Sequence, residues 1–293
     1  MVELLVVPGP SSKDLATSIA RAAGLRMAQV VFKKFPDGES YVRIVGERVG
    51  EESAIVNGLH PPQDEHMMQL ALLADSLAGL GSSNITAVIP YMAYARQDRR
   101  FMPGEPISFL TLTRMLASAG VNRIVTVNIH SPWTVEQSPI PIVNIDASGL
   151  LATLLLQAGY DKPLILSPGK KGRLMGEEAA NVLETSFGVI ESRRDPVTGE
   201  VAVSTDVRVD GMDVAILDDV ISTGTTMVKS VQLVKKLGAR RVAVLCVHGL
   251  FIGEAAQRII EAGTNLILST DTVPNQYAFG SVAGLIASRL TKV

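Results

Sequence analysis

The sequence predicts an α/β protein with two tandem domains, each built on a mainly parallel sheet flanked by helices. Short apolar runs rich in Val and Ile alternate with helical patterns throughout the 293 residues. Continuous runs of this kind are typical of parallel strands that are buried on both faces. Because 47% of the residues are apolar, the chain can fill a substantial core.

A strand–helix–strand order occurs once in each half of the chain. It is found at residues 85–90, 106–119 and 124–129, and again at residues 214–217, 227–237 and 242–247. Segments 120–130 and 238–248 also share Gly, Arg and His at the same spacings. This similarity indicates a duplicated fold. We place the boundary after the proline-rich segment 138–141, which gives domains of residues 1–146 and 147–281.

Composition excludes several classes of protein. Acidic and basic residues nearly balance at a net charge of −2, so there is no overall basic surface for nucleic acid. No apolar run reaches the ~20 residues of a membrane span, and the first residues lack the pattern of a signal peptide. The single cysteine, Cys246, lies in an apolar strand pattern and is expected to be buried. These observations predict a soluble, cytoplasmic protein without disulfides.

The most informative motif follows the strand pattern at 214–217. Asp218 and Asp219 come directly after these apolar residues, and a polar glycine turn precedes the next helical pattern. The turn and the start of the helix contain Ser222, Thr223, Gly224, Thr225 and Thr226. Backbone N–H groups and hydroxyls at a helix N-terminus can bind phosphate, and carboxylates can bind sugar hydroxyls or a divalent cation. A simple helix cap beside a solvated strand end is the alternative; the complete unit favours a site for a phosphorylated sugar.

Two further segments of the first half carry polar clusters. Segment 94–100 follows an apolar strand and contains Arg96, Gln97, Asp98, Arg99 and Arg100. Its guanidinium groups suit phosphate oxygens, although a solvated surface turn is the usual role of such a run. Segment 35–43 contains Pro-Asp-Gly, which predicts a tight turn.

These segments together resemble one enzyme family. Segment 218–226 resembles the ribose-5-phosphate loop of the phosphoribosyltransferase superfamily. Segments 35–43 and 94–100 resemble the adenine-side and ATP-phosphate loops of ribose-phosphate pyrophosphokinases. The resemblance covers both halves and implies two phosphoribosyltransferase-like domains, with ATP on the side of residues 1–146 and ribose 5-phosphate on the side of residues 147–281. It also implies that residues 282–293 pack back on the first domain.

The resemblance implies a reaction and the residues that serve it. The β,γ-diphosphoryl group of ATP is transferred to the C1 hydroxyl of ribose 5-phosphate, which gives PRPP and AMP with Mg²⁺ as the cofactor. The implied ATP-binding residues are Phe35, Asp37, Glu39, Arg96, Gln97, Asp98 and His130. Asp218, Asp219 and residues Ser222, Thr223, Gly224, Thr225 and Thr226 bind ribose 5-phosphate. His130 and Asp219 are the implied metal ligands, and Arg193, Arg194, Asp218 and Asp219 the implied catalytic residues.

The resemblance further implies a homo-oligomer, either a dimer or a multiple of dimers, because segment 35–43 reaches the ATP of a neighbouring subunit in the family.

The chain departs from the family pattern at three positions. Asn128 stands where the family usually has Asp, Gly169 replaces a metal-associated Asp, and Ser192 replaces a catalytic Lys. Candidates for the missing positive charge are Arg193, Lys170 and Lys171.

Two alternatives follow from the same residues. The replaced lysine and carboxylate motivate a catalytically weak homologue that binds nucleotide and regulates an active partner. A phosphoribosyltransferase that uses PRPP is the second alternative, but segments 35–43 and 94–100 argue against it because such an enzyme needs no ATP loop.

Overall fold

The computed structural model describes residues 4–46, 49–194 and 201–291, which form two compact units. Unit 1 consists of Met1–Ile145 and Ser281–Val293, and unit 2 of Asp146–Gly280. Each unit is built around its own sheet of mainly parallel strands.

Unit 1 contains a six-stranded parallel sheet with the order β2-β1-β5-β6-β7-β8. Its strands are β1 (Leu5–Pro8), β2 (Arg26–Met27), β5 (Glu52–Val56), β6 (Asn84–Ile89), β7 (Val121–Val127) and β8 (Ile142–Ile145). A separate antiparallel hairpin pairs β3 (Gln29–Lys34) with β4 (Ser40–Val45). The helices are α1 (Lys13–Ala23), α2 (Gln63–Gly79), α3 (Ser108–Ser118) and α8 (Ala283–Leu290). Helix α8 packs on α1, so the C-terminal helix belongs to this unit.

Unit 2 contains a seven-stranded sheet with the order β11-β10-β9-β12-β13-β14-β15. Its strands are β9 (Leu164–Pro168), β10 (Phe187–Arg194), β11 (Val201–Ser204), β12 (Asp213–Ile221), β13 (Arg241–Gly249), β14 (Leu266–Thr270) and β15 (Ala278–Gly280). Only β11 is antiparallel to its neighbour among these pairings. The helices are α4 (Ser148–Gln157), α5 (Arg173–Val182), α6 (Thr225–Lys236) and α7 (Ala255–Glu261).

The predicted fold class is confirmed, and the two sheets repeat one arrangement. The run β2-β1-β5-β6-β7 of unit 1 has the same spatial and chain order as β10-β9-β12-β13-β14 of unit 2. Gly120 and Gly238, which precede β7 and β13, both have a positive φ that favours glycine. By this order β5 and α2, rather than β6 and α3, correspond to β12 and α6, so the pairing of segments 120–130 and 238–248 expected from the sequence does not match the order of the sheets.

The core explains why these apolar runs form strands. Residues of β12 and β13 are buried on both faces, as expected for central parallel strands. Cys246 is fully buried in β13, and its burial raises the pKa of the thiol well above the usual value. It is a small hydrophobic residue of the core, as predicted. None of the described helices combines the length and hydrophobicity of a membrane span.

Two boundaries of unit 2 differ from the sequence prediction. Strand β12 does not end before the acidic pair but continues through Asp218 and Asp219 to Ile221, because its backbone pairs with β13 as far as Gly249. Helix α6 begins at Thr225 rather than Met227. The two carboxylates therefore project from a strand, and two threonines belong to the first turn of the helix.

Candidate active site

The acidic pair lies at the carboxyl end of β12, where parallel sheets usually bind their ligands. Both residues are partly buried. Asp218 Oδ1 accepts a hydrogen bond from the Asp219 N–H at 3.0 Å, and Asp219 Oδ1 accepts one from the Val220 N–H at 2.8 Å. The main chain of the strand thus orients both carboxylates.

The glycine turn after β12 leads directly into α6. Gly224 is the N-cap of this helix with φ +73°, and no side chain of the described residues caps it. A Cβ atom there would lie 3.2 Å from Ile259 Cδ1 and 3.3 Å from Ala255 Cβ, so glycine also permits close packing against α7. Thr223 and Thr225 are exposed, with their hydroxyls 3.5 Å apart. Because the first N–H groups of a helix lack intrahelical partners, this end can accept a phosphate.

Helix α7 supports the turn in a way that the sequence did not indicate. The Arg258 guanidinium donates to the Thr223 carbonyl, and the Ile252 N–H donates to the Ser222 carbonyl at 3.0 Å. These contacts engage two carbonyls of the turn in hydrogen bonds with α7 and the residues just before it. No local pattern relates Arg258 to a turn 35 residues earlier, which is why sequence reasoning missed it.

A second turn lies beside this one, after the neighbouring strand β9. Gly169 has φ +96°, and its N–H donates to the Ile190 carbonyl at 2.8 Å. Lys170 and Lys171 follow in a short 3₁₀ turn and are exposed. A Cβ atom at Gly172 would lie 3.0 Å from Ser167 Cβ and 3.8 Å from the Leu217 carbonyl oxygen, so this turn packs against the ends of both strands. The two lysines therefore bring positive charge to the edge of the sheet that carries the acidic pair.

The predicted catalytic arginines lie on β10, the strand next to β9. The backbone of Arg193 pairs with Ala202 of β11, and that of Arg194 with Val201. Their side chains, like that of Ser192, lie outside the described residues, so the roles predicted for Arg193 and Arg194 stay predictions.

In unit 1, segment 94–100 follows β6 and lies at the carboxyl end of that sheet. Tyr94 has φ +64°, and its hydroxyl donates to the Asp64 carboxylate, which raises the pKa of Tyr94. The Ser108 hydroxyl of α3 donates to Gln97 Oε1. Arg96 is exposed, as expected of a residue that meets a ligand.

Asp98 differs from its neighbours. Its side chain is only 1% exposed, and Oδ2 accepts a hydrogen bond from the Ser131 hydroxyl at 2.8 Å. Ser131 directly follows His130, so this bond joins segment 94–100 to the turn after β7. The placement of Asp98 favours an anchoring role over the predicted direct contact with ATP.

The turn that carries His130 begins at Asn128. Asn128 is buried and has φ +35°, a conformation in which Asn and Asp are among the most tolerated residues. The Ile129 N–H donates to Asn144 Oδ1 of β8 at 2.8 Å. His130 is partly buried. Asn128 therefore retains the backbone geometry that an Asp would supply, although not its charge. His248 of β13 is buried, and its Nδ1 lies 2.9 Å from the Thr272 hydroxyl.

The remaining predicted ATP residues lie at the tip of the β3–β4 hairpin. Phe35, Asp37 and Glu39 are all exposed there. The tip is a closed turn, because the Gly38 N–H donates to the Phe35 carbonyl at 2.9 Å and the Glu39 N–H to Asp37 Oδ1 at 3.2 Å. The predicted Pro-Asp-Gly turn is present. A salt bridge of 2.7 Å between Lys34 and Glu65 joins the end of β3, next to the tip, to α2.

Comparison with known proteins places these features in one family. Residues 4–120 match the family model for the N-terminal domain of ribose phosphate pyrophosphokinase, and residues 137–265 match that for the phosphoribosyl transferase domain. The chain belongs to the ribose-phosphate pyrophosphokinase family.

Two relatives with that enzyme name match this chain over nearly their whole length. The ribose-phosphate pyrophosphokinase of Methanobrevibacter smithii is 34% identical and covers 98% of this chain and 99% of its own. That of Methanothermobacter thermautotrophicus is 35% identical and covers 97% and 98%.

Structural comparison agrees with this membership. The crystal structure of phosphoribosylpyrophosphate synthetase from Mycobacterium smegmatis has a TM-score of 0.88 and 25% sequence identity, and covers 98% of this chain and 97% of its own. Ribose-phosphate pyrophosphokinases are transferases that use a divalent metal. Neither alternative has support here, because every named relative of full length is a pyrophosphokinase and the transferase domain model accounts only for residues 137–265.

Proposed function

We propose that this chain catalyses the transfer of a diphosphoryl group from ATP to ribose 5-phosphate. The C1 hydroxyl oxygen attacks the β-phosphorus, the bond from that phosphorus to the bridging α–β oxygen breaks, and AMP leaves as PRPP forms. The proton of the hydroxyl passes to a base or to solvent. The observation that carries the proposal is the oriented acidic pair of β12 directly before the open N-terminus of α6, in a chain related along its full length to ribose-phosphate pyrophosphokinases.

Unit 2 supplies the acceptor site. The 5-phosphate binds at the N-terminus of α6, where the backbone N–H groups of the turn and the hydroxyls of Ser222, Thr223, Thr225 and Thr226 donate to its oxygens. Asp218 and Asp219 accept hydrogen bonds from the ribose hydroxyls. This arrangement fixes C1 relative to the strand end, and such positioning is the main contribution of protein groups to phosphoryl transfer.

Unit 1 supplies the donor site. Arg96 is exposed beside the anchored residue Gln97, and both bind the nucleotide. The aromatic ring of Phe35 stacks on adenine, while Asp37 and Glu39 accept hydrogen bonds from its amino group. Because the hairpin of one subunit would serve the ATP of another, we also propose a homo-oligomer, a dimer or a multiple of dimers. The cytoplasmic location stays a prediction.

Mg²⁺ is the proposed divalent metal. Within the described ranges, no three His, Cys, Asp or Glu side chains lie close enough together to hold a metal. Mg²⁺ is usually held mainly by substrate phosphates. His130 would supply a protein ligand on the ATP side, and Asp219 one on the ribose-5-phosphate side. When bound, the ion neutralises charge on the transferred group. Arg193 and Arg194 stabilise the negative charge of that group, and Lys170 and Lys171 compensate for Ser192.

A product assay tests the proposal. The purified chain is incubated with Mg-ATP and ribose 5-phosphate, and AMP, ADP and PRPP are separated and quantified. We expect AMP and PRPP in equal amounts, and AMP only when ribose 5-phosphate is present. Formation of ADP instead of AMP, or no AMP above background despite nucleotide binding, contradicts the proposal. Incubation with PRPP and a free purine base tests the transferase alternative and should give no nucleotide.

A further inference from the structure

We propose that Asp98 is a positioning residue that locks the ATP-binding segment 94–100 to the turn that carries His130. The inference rests on the proposed function, because ATP is the ligand whose binding it controls. Arg96, Arg99 and Arg100 are exposed, whereas the Asp98 side chain between them is 1% exposed. One residue of a run of charged side chains is therefore directed into the protein.

Ser131, the hydrogen-bond partner of Asp98, is buried and makes hydrogen bonds through both its hydroxyl and its carbonyl. Ser131 is completely buried and donates its hydroxyl to Asp98 Oδ2 at 2.8 Å. Its carbonyl accepts hydrogen bonds from the N–H and the hydroxyl of Thr134, at 3.0 and 2.7 Å. Because Ser131 is held at both its hydroxyl and its carbonyl, movement of Asp98 would be transmitted to the backbone beside His130.

The second carboxylate oxygen is unusual. Asp98 Oδ1 is buried and has no hydrogen-bond partner among the described residues. Arg99 Nε lies 3.9 Å from this oxygen, which is too long for a hydrogen bond. A buried carboxylate with an unsatisfied oxygen destabilises a fold, and such groups usually have a functional reason. A carboxylate is also a stronger acceptor for the Ser131 hydroxyl than a neutral group.

Asp98 and Gln97 anchor the segment on two sides. Gln97 accepts from Ser108 of α3, and Asp98 from Ser131 after β7. Arg96 precedes these anchors and remains exposed. Loss of the Asp98 anchor should therefore disturb the position of Arg96 and of His130 together. Both belong to the proposed ATP site, whereas the ribose-5-phosphate residues lie in unit 2.

The test compares Asp98→Ala, Ser131→Ala and Asp98→Asn with the wild-type chain. We expect each alanine variant to raise the KM for ATP about tenfold, as is typical for loss of a hydrogen bond to a charged group, with an unchanged KM for ribose 5-phosphate. The double alanine variant should be no worse than either single variant, since both remove one interaction. Asp98→Asn retains an acceptor oxygen for Ser131 and should recover most of the affinity. Asp75→Ala, at an exposed position of α2, is the matched control.

Binding provides a readout that does not depend on turnover. Trp133 is the only tryptophan of the chain, is 49% exposed and lies two residues after Ser131, so its fluorescence should report Mg-ATP binding to the full-length chain. We expect the alanine variants to shift the ATP titration about tenfold while thermal unfolding shows that they are folded.

Equal losses for both substrates, additive single variants, or Asp98→Asn as defective as Asp98→Ala would each overturn the inference. A wild-type chain that binds ATP but forms no AMP would contradict the proposed function, yet the titrations would still decide the role of Asp98. A wild-type chain that does not bind ATP would overturn both.

Discussion

At the scale of single residues, the two carboxylates of β12 are oriented by the backbone that follows them. Each accepts a hydrogen bond from the N–H of the next residue, so the local main chain helps to orient both carboxylates. This local orientation suits a group that must meet a substrate hydroxyl with little rearrangement, since preorganised contacts contribute most to catalysis.

Asp219→Asn tests the role of the second carboxylate. The change retains the size of the side chain but removes its charge, so binding of ribose hydroxyls and of metal should both weaken. We expect kcat/KM for ribose 5-phosphate to fall on the order of a hundredfold or more, with little change in thermal stability. Asp161→Asn, at an exposed position of the same unit, is the control. Near-normal kinetics of Asp219→Asn would refute the placement of the site.

Ser192→Lys tests the departure from the family at the catalytic loop. A lysine would add a cation for the transferred diphosphoryl group, so we expect kcat to rise about tenfold. The rise should be largest in a background with Lys170→Ala and Lys171→Ala, because these lysines are the proposed substitutes. The kcat values of Ser192→Lys alone and of the triple variant with Lys170→Ala and Lys171→Ala test whether these lysines substitute for the missing cation. An unchanged rate in both backgrounds would mean that a cation at position 192 is not needed.

At the scale of secondary-structure elements, Gly224 at the β12–α6 junction must adopt a positive φ and must also leave room for close packing against α7. Gly224 has φ +73° and approaches Ile259 of α7. Gly24, which ends α1, has nearly the same φ of +66° but no atom within 4 Å of an added Cβ. The two glycines therefore separate the cost of the backbone conformation from that of close packing.

Gly224→Ala should destabilise the chain more than Gly24→Ala. A positive φ alone costs about 1 kcal/mol for a non-glycine residue, and the contact with α7 adds to that at Gly224. We also expect Gly224→Ala to raise the KM for ribose 5-phosphate, because the N–H groups of the turn shift. Chemical denaturation and steady-state kinetics of both variants provide the comparison. Equal destabilisation with unchanged kinetics would show that the turn tolerates a side chain.

The opposite ends of β12 and β13 carry a structural ion cluster. Asp213 is buried and accepts hydrogen bonds from the Arg240 guanidinium, both at 2.8 Å, and from Arg241. Hydrogen bonds from Arg240 and then Arg241 hold the pKa of Asp213 well below its usual range. A lowered folded-state pKa stabilises the protein above the unfolded value of about 4, and this stability is lost as the pH falls below it.

Asp213→Asn should lower the free energy of unfolding at neutral pH by about 1–2 kcal/mol, a modest value because both guanidinium groups are partly exposed. The difference from the wild-type chain should shrink when unfolding is measured near pH 3, since the wild-type carboxylate then begins to lose its advantage. Asp161→Asn serves as the control at each pH. A difference in the free energy of unfolding that grows as the pH falls would contradict a lowered pKa of Asp213.

At the scale of the whole molecule, the residues of the proposed donor and acceptor sites belong to separate units, and the hairpin tip presents exposed groups that are proposed to serve another subunit. The variant Phe35→Ala with Asp37→Ala should impair the hairpin, and Asp219→Asn should impair the acceptor site. We expect co-expressed, co-purified mixtures of the two to recover activity that neither has alone, because some sites then combine an intact hairpin with an intact acceptor site. Mixed oligomers without recovery would show that each subunit uses its own hairpin.

Much of the fold, and the glycine turn of the proposed acceptor site, followed from the sequence by itself. Parallel strands, the Pro-Asp-Gly turn at Phe35 and the glycine turn at Gly224 depend on hydrophobic period and on the φ preferences of individual residues. Such preferences act between near neighbours and can be recognised along the chain. The alternation of strands and helices in both halves was recognised for the same reason.

Tertiary structure alone decided which polar residues of a cluster face inward. Asp98 is directed to Ser131, 33 residues away, and Arg258 to Thr223, 35 residues away. The length of β12 was also settled by its neighbour, since pairing with β13 carries the strand past the acidic pair. A hydrogen bond between distant residues depends on where the fold places its donor, and no local preference of the sequence records that position.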